Sequence, residues 1–483
     1  MIVYVDATAG NDAHSGATPE QAWRTLARVS RQQLQPGDQV LLRRGSVWEE
    51  GLRLRGRATL SQPIVLGGYG DGPRPRINGG QTHAISADEP ISGWRIEGLE
   101  LTSANDLNPT RRILGGTCGI HFTQSELCQG LVIQDCLIHD TSGPGVYLLA
   151  TGDPKAVFRQ VTIERCEVSR ASCGIQFWAH PTFGTDYFPG FHIAHCLVHD
   201  IGGDGIVPFC GRDGVVEYCT AFRTGLGVAP DNHSPVAIWF AWARNCIIQY
   251  CEAYDNRTGG RGADGGGFDL DGGCADCVLQ YNYSHDNEGA GYLICSWDPT
   301  QWPCTGAVCR FNVSINDGLA NDYASIFFWQ ADGSRVYNNT CLTRHASPLK
   351  FHSDTRGHLI ANNIFLVDSQ DDLPLAKSAF DIATNTFSHN LWWRASGGLR
   401  FDLPGGRITS LEELARLVGA EGELAADPRL ADPAHGDVHL QDDSPCIGAG
   451  LRLPDMGPRD YYGAPIPATG PVDIGCAAAD RAS

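Results

Sequence analysis

One pattern recurs through the middle of the chain and restricts its folding more than any other feature. An apolar pair is followed by a polar residue or two, then Cys or Asn, then a short strand that often ends in His-Asp. It reads VIQDCLIHD, TIERCEVSR, HIAHCLVHD, VVEYCTAFR, IIQYCEAYD, VLQYNYSHD, VCRFNVSIN, RVYNNTCLT, LIANNIFLV and FSHNLWW. The recurring position falls on Cys136, Cys166, Cys196, Cys219, Cys251, Asn282, Asn312, Asn338, Asn362 and Asn390, at spacings of 23 to 32 residues. Strand-only repeats at this period predict a β-solenoid, in which each repeat buries its apolar face only against its neighbours. A chain of 483 residues then needs no division into several cores.

Each repeat carries a second strand after a Gly-rich turn: GVYLL (145–149), GIQFWAH (174–180), GIVPFC (205–210), AIWFA (237–241), GFDLD (267–271), GYLICSW (291–297), SIFFWQ (325–330) and PLKFHSD (348–354). Neighbouring side chains on a strand point to opposite faces. If Phe268 and Leu270 fill the interior, Asp269 and Asp271 face out. The outward column then reads Tyr147, Gln176, Trp178, His180, Trp239, Asp269, Asp271, Trp297, Phe327, Trp329, Lys350 and His352. Aromatic rings interleaved with carboxylates suit a sugar chain, whose apolar faces stack on rings while its hydroxyls and glycosidic oxygens meet acids.

The same stacking accounts for the 18 cysteines. Five stand at the repeat position that is Asn elsewhere, which predicts an internal ladder of buried thiols rather than disulfides. Cys274 and Cys277 form a CxxC without a second ligand pair at zinc spacing. His139, His199 and His285, each followed by Asp, are expected as stacked turn groups.

Both ends read as caps. Residues 1–80 hold a strand, an amphipathic helix over roughly 19–34 and two more strand runs. Residues 81–400 hold the coils, about ten of them. Residues 401–483 close the chain, with Ser410 to Glu413 as a capping box opening the helix LEELARLVG. The whole is expected to be one structural domain and a monomer. The N-terminus MIVYVDATAGND lacks the features of a signal peptide and no apolar run is long enough to span a membrane, so a cytoplasmic protein or a mature secreted form is expected.

The coil repeats resemble the pectate-lyase-like right-handed parallel β-helix superfamily. The opening YVDATAGNDAHSGATPEQAWRTL with QPGDQVLLRRG resembles the N-terminal cap of its bacterial carbohydrate-active members. DGGGFDLDGGCADCVLQYNYSHDNEGAGYLIC resembles a run in glycoside hydrolases of this fold. The ending DPRLADPAHGDVHLQDDSPCIGAG with DYYGAPIPATGPVDIGC resembles their closing segment. The resemblance implies an all-β single-stranded right-handed parallel β-helix. For the reaction it leaves hydrolases, lyases, epimerases and tailspikes open.

The residues themselves favour hydrolysis. Asp269 and Asp271 lie two residues apart on one strand, so their Cα atoms should be about 6.6–6.8 Å apart. Glycoside hydrolysis needs two carboxyl groups, about 5–5.5 Å apart for retention or about 6.5–9.5 Å for inversion. Asp264, in a long insertion, Asp204 and Glu288 are further candidates for the second carboxyl. Trp178, Trp239, Trp297 and Trp329 would line subsites, and His180, Lys350 and His352 would contact hydroxyl or acidic groups. Hydrolysis needs no cofactor or metal. A polysaccharide lyase or uronate epimerase would need Ca²⁺ and a strong base. Lys350 is the one lysine on the stripe and lies three rungs from Asp269, about 14 Å at ~4.8 Å per rung. The chain has only three lysines in all, and Arg is a poor base. The net charge of −19 argues against a nucleic-acid partner. The remaining alternative is a non-catalytic glycan-binding or tailspike-like module.

Overall fold

The turn that precedes each ladder residue sets the architecture. Asp135, Arg165, His195, Tyr218, Tyr250, Tyr281, Phe311, Asn338, Asn362 and His389 all adopt a left-handed backbone, with φ between 51° and 58°. This conformation is unfavourable for bulky residues. It bends the chain sharply between two short strands, and the residue after it turns inward. A computed structural model describes residues 1–103, 116–151, 157–179, 186–227, 235–260, 263–353 and 355–479. They form two units, residues 1–235 with 242–246 and residues 236–241 with 247–483.

Within each unit the strands stack in parallel into three long sheets, and helices are few. This is a parallel β-helix. In the N-terminal unit one sheet carries Ile120–Gln124, Val146–Ala150, Ile175–Ala179 and Ile206–Pro208 in register. In the C-terminal unit the corresponding sheet carries Val236–Phe240, Gly266–Leu270, Tyr292–Cys295, Ala324–Trp329, Ser347–Phe351, Ala376–Ser378 and Phe401–Leu403. Inward residues of successive strands stack, as with the Phe268 and Tyr292 rings at 5.3 Å. The Tyr292 hydroxyl donates to the carbonyls of Asn282 and Val313, so its one polar atom is satisfied inside the core. Burying a ring such as Phe268 contributes about 1.5–3 kcal/mol.

Polar ladders run through this core. In the C-terminal unit Cys251 N–H donates to Asn282 Oδ1 at 3.0 Å. The ladder continues through Asn312, Asn339, Asn363 and Asn390, each Nδ2 donating to the next residue's Oδ1. It ends on Glu423, whose carboxyl accepts from Asn390 and from the Trp392 indole. Burial pushes Glu423 up to about 7. The expected ladder residues Asn338 and Asn362 are displaced by one position. They occupy the left-handed turn, and their Nδ2 groups donate to Gly475 and Leu451 carbonyls of the closing segment. Cys136, Cys166, Cys196 and Cys219 carry the ladder in the N-terminal unit, where Cys196 N–H donates to Cys219 Sγ at 3.4 Å. All 18 cysteines are free and buried. The thiols of Cys274 and Cys277 donate to the carbonyls of Phe240 and Ala275.

His139, His199 and His285 sit on stacked turns. Each ring nitrogen Nδ1 lies 2.6–2.9 Å from the carboxylate of the following Asp. At the N-terminus the helix expected over 19–34 is broken up. Pro19–Gln21 is a single 3₁₀ turn and Leu26–Val29 one α-helical turn. Between them Trp23 is extended: its N–H donates to Tyr4, and its carbonyl accepts from Asp6. Strand pairing outweighs helix propensity there. The C-terminal helix forms as expected over Leu411–Val418, with Ser410 Oγ accepting Glu413 N–H at 3.2 Å. No helix among the described residues is long and apolar enough to cross a membrane, which leaves membrane-crossing strands out of account.

Candidate active site

Alternation on Gly266–Leu270 sends Phe268 and Leu270 into the core and turns Asp269 and Asp271 to the outer face of the sheet. Through consecutive pairings Trp239, Asp269, Leu293, Phe327, Lys350 and Lys377 form one outward row. Cys295 and Trp329 pair in the row beside it. The glycines of DGGGFDLD and EGAGYL are there because the backbone runs close to other groups. A Cβ on Gly267 would lie 2.4 Å from Ser284 Oγ, and one on Gly289 would lie 2.1 Å from the Asp264 carbonyl oxygen. This second approach seats Asp264 beside the row, where its own φ is 51°.

Three carboxyl groups therefore gather here, in unlike surroundings. Asp269 is 2% exposed, and its Oδ1 has no hydrogen-bond partner. Burial, then the charges of Asp271 and Asp264, push it well above the usual carboxylate range. Asp271 is half-buried, which also raises it, but the N–H of Gly272 donates to its Oδ1 at 2.5 Å. The Cys295 thiol and the Trp297 N–H also donate to it and favour its charged form. Asp264 is half-buried. Its N–H donates to the Tyr323 hydroxyl at 3.2 Å, and that hydroxyl lies 3.4 Å from Asp264 Oδ1. Tyr323 in turn stacks on Phe327 with centroids 4.5 Å apart. Tyr323 and Cys295 had no signal in the repeat, since each acquires its place only when neighbouring coils stack.

Two expected acids are not part of this group. Glu288 is bound to the base of the insertion, accepting from Thr258 N–H at 2.7 Å and from Arg257 at 3.3 Å. Asp204 is a fully buried member of the N-terminal unit, 3.9 Å from Cys173 Sγ.

The aromatic stripe is more covered than its outward register implies. Trp239 is 8% exposed and Phe327 only 1%, the latter packed under Tyr323 and Lys350. Trp329 is half-buried and meets His352 edge-on at 6.2 Å. Trp297 stands just beyond its strand and is 46% exposed, with its indole against Gly272. Trp178 belongs to the N-terminal unit, where it packs edge-on against Phe209 and Trp242. His180 lies outside the described residues. Lys350 is not a free cation: its ammonium donates to the Asp322 carbonyl at 2.6 Å and carboxylate at 3.1 Å, and Lys377 shares that carboxylate.

Among the described residues one group has the donor types of a metal site, His83, Cys118 and His121 in the N-terminal unit. Its hydrogen bonds run in one direction. Cys118 N–H donates to His83 Nδ1 at 2.9 Å, which leaves the proton on His83 Nε2, facing His121 Nδ1 at 2.7 Å. His121 Nε2 then faces Thr123 Oγ1 at 3.2 Å. All four ring nitrogens are engaged, and burial holds both rings neutral, His121 down to about 4. A metal on His83 would have to displace a proton that the backbone N–H holds in place.

No family model matches the chain. It is 22% identical to a lacto-N-biosidase of Bifidobacterium longum subsp. longum over 83% of its own length, and it spans 30% of that protein. Among solved structures it is similar to a GH136 lacto-N-biosidase from Eubacterium ramulus, at 22% identity and a TM-score of 0.57, covering 81% of this chain and 64% of that one. It is also similar to XylC, solved in complex with xylose, at 12% identity and a TM-score of 0.57, covering 99% and 98%. These likenesses bear on the fold, a parallel β-helix.

Proposed function

We propose that the chain is a glycoside hydrolase acting on an oligosaccharide or polysaccharide, with Asp264 and Asp271 as the reacting pair. The observation that carries this is the gathering of Asp264, Asp269 and Asp271 on one outer face. Two of them, Asp264 and Asp271, are only partly buried, while Asp269 between them in sequence is buried. Cleavage of a glycosidic bond needs a proton donor and a carboxylate. Asp271 takes the carboxylate role: burial raises it, and of the acids gathered here it is the one at which the Gly272 N–H, the Cys295 thiol and the Trp297 backbone N–H point to oppose that rise. Asp264, whose Oδ1 lies 3.4 Å from the Tyr323 hydroxyl, takes the proton-donor role. Burial removes Asp269 from direct contact, so the partner that the sequence assigned to Asp271 shifts to Asp264.

Trp297 supplies the exposed ring beside Asp271 for a sugar face to stack on, with Trp329 and His352 on the same sheet. The names of the similar proteins point to the same class of chemistry. The winding is taken as right-handed, as parallel crossovers are in about 98% of cases. Residues before 80 and after 400 are taken as its end pieces.

The test is a glycan panel that includes the substrates of a lacto-N-biosidase, with products read by mass. Hydrolysis adds one water per bond cleaved. Asp264→Asn and Asp271→Asn should each lower kcat/KM by about 10²–10⁴-fold without unfolding the protein. The reading falls if both variants keep full activity. An unsaturated product that absorbs in the ultraviolet and disappears with a chelator would replace it with the Ca²⁺-dependent lyase.

A further inference from the structure

Asp269 has no task in that scheme, yet its place is an expensive one. A carboxyl group removed from water must find a cation, find donors or give up its charge. Among the described residues the titratable groups that act on Asp269 are Asp271 on its own strand, Asp264 from the insertion, Cys295 from the next strand and Cys304 from the following turn. None is a cation. Its register partners are Trp239 and Leu293, neither of them ionisable, and its Oδ1 is unpaired. Two like charges flank it. The state that fits this setting is the neutral acid, which has one O–H to donate. The acceptors within its electrostatic reach are the carboxylates of Asp264 and Asp271.

We propose that Asp269 is a positioning residue: a buried neutral carboxylic acid beside the reacting pair that donates its O–H to one of their carboxylates and so fixes its orientation and keeps it charged. An O–H···O⁻ bond is among the stronger hydrogen bonds and orients both partners. This rests on the assignment of Asp264 and Asp271 as the reacting groups, and it predicts a different response for each of the three acids.

Asp269→Asn keeps the shape and an N–H donor, so it should hold kcat within about tenfold of the parent and leave the pH–rate profile in place. Asp269→Leu keeps the volume and removes the donor. It should lower kcat by about a hundredfold and move the acid limb upward, because the carboxylate loses the bond that favours its charge. Its unfolding midpoint should not fall, since a buried polar group with an unpaired oxygen has been replaced by an apolar one. A residue serving only the fold would move the midpoint and not the limb. Independently of substrate, infrared difference spectra on Asp-labelled protein should show, at neutral pH, a protonated carboxyl band in the parent that Asp269→Asn loses and Asp264→Asn keeps.

The proposal is overturned if Asp269→Asn is as inactive as Asp271→Asn at an unchanged midpoint, which would make Asp269 itself the proton-transfer group. It is also overturned if Asp269→Leu behaves as the parent or if the band is absent. Full activity of both Asp264→Asn and Asp271→Asn would instead remove the underlying reading.

Discussion

Replacing Asn312 by Ala tests whether the polar ladder holds the coils together or only accompanies them. Asn312 Oδ1 accepts the Asn282 N–H at 2.9 Å and Asn282 Nδ2 at 3.1 Å. Its own Nδ2 donates to the Leu279 carbonyl and to Asn339 Oδ1, both at 3.0 Å. After truncation the Asn339 oxygen still accepts the Asn312 N–H, and Asn282 Nδ2 still reaches the Ile248 carbonyl. The Asn282 N–H and one Nδ2 hydrogen are left without partners in a fully buried site. An orphaned buried donor costs about 1–3 kcal/mol, so the loss should be about 2–6 kcal/mol. Asn312→Cys should cost less. Cysteine holds the equivalent position in the N-terminal unit, where Cys219 Sγ accepts a neighbour's N–H. Urea unfolding followed by circular dichroism would rank parent, Asn312→Cys and Asn312→Ala in falling order of midpoint. The account is refuted if Asn312→Ala unfolds with the parent, or if Asn312→Cys is the less stable of the two.

The His285 stack predicts a pH dependence. Burial opposes its charge, but the carboxylates of Asp286 and Glu252 outweigh this and raise it to about 9. A histidine raised on folding stabilises fully below its unfolded value of about 6.5, and that contribution is lost as pH rises through about 9. The parent should therefore lose stability between those values, and His285→Gln should lose less, as read from urea midpoints at each end. For the cysteines, a thiol reagent should find almost none in the native protein and all 18 after denaturation. Burial raises Cys128 and Cys210 to about 12 and denies them the reactive thiolate. A reductant should leave the unfolding temperature unchanged.

Repetition made the fold legible. A strand that must bury one face against the next coil repeats its pattern with every turn, so sheet, register and the outward direction of Asp269 and Asp271 could all be read from spacing and alternation. The free thiols follow from the same pattern, because a position that is Asn in some coils and Cys in others is internal and equivalent. The doublets Asn338–Asn339 and Asn362–Asn363 show the limit. Either member fits the spacing, and only the left-handed turn decides which one points inward. Exposure was not legible either. An outward side chain is open or covered according to what the insertions lay over it, and those contacts have no period. Arg257 takes Glu288 and Asp322 takes Lys350 from neighbouring coils, and Tyr323 folds back over Phe327. Spacing along the chain thus determined which wall the acids stand on. Packing between coils decided which of them a sugar can reach, because solvent access depends on neighbours that no local pattern records.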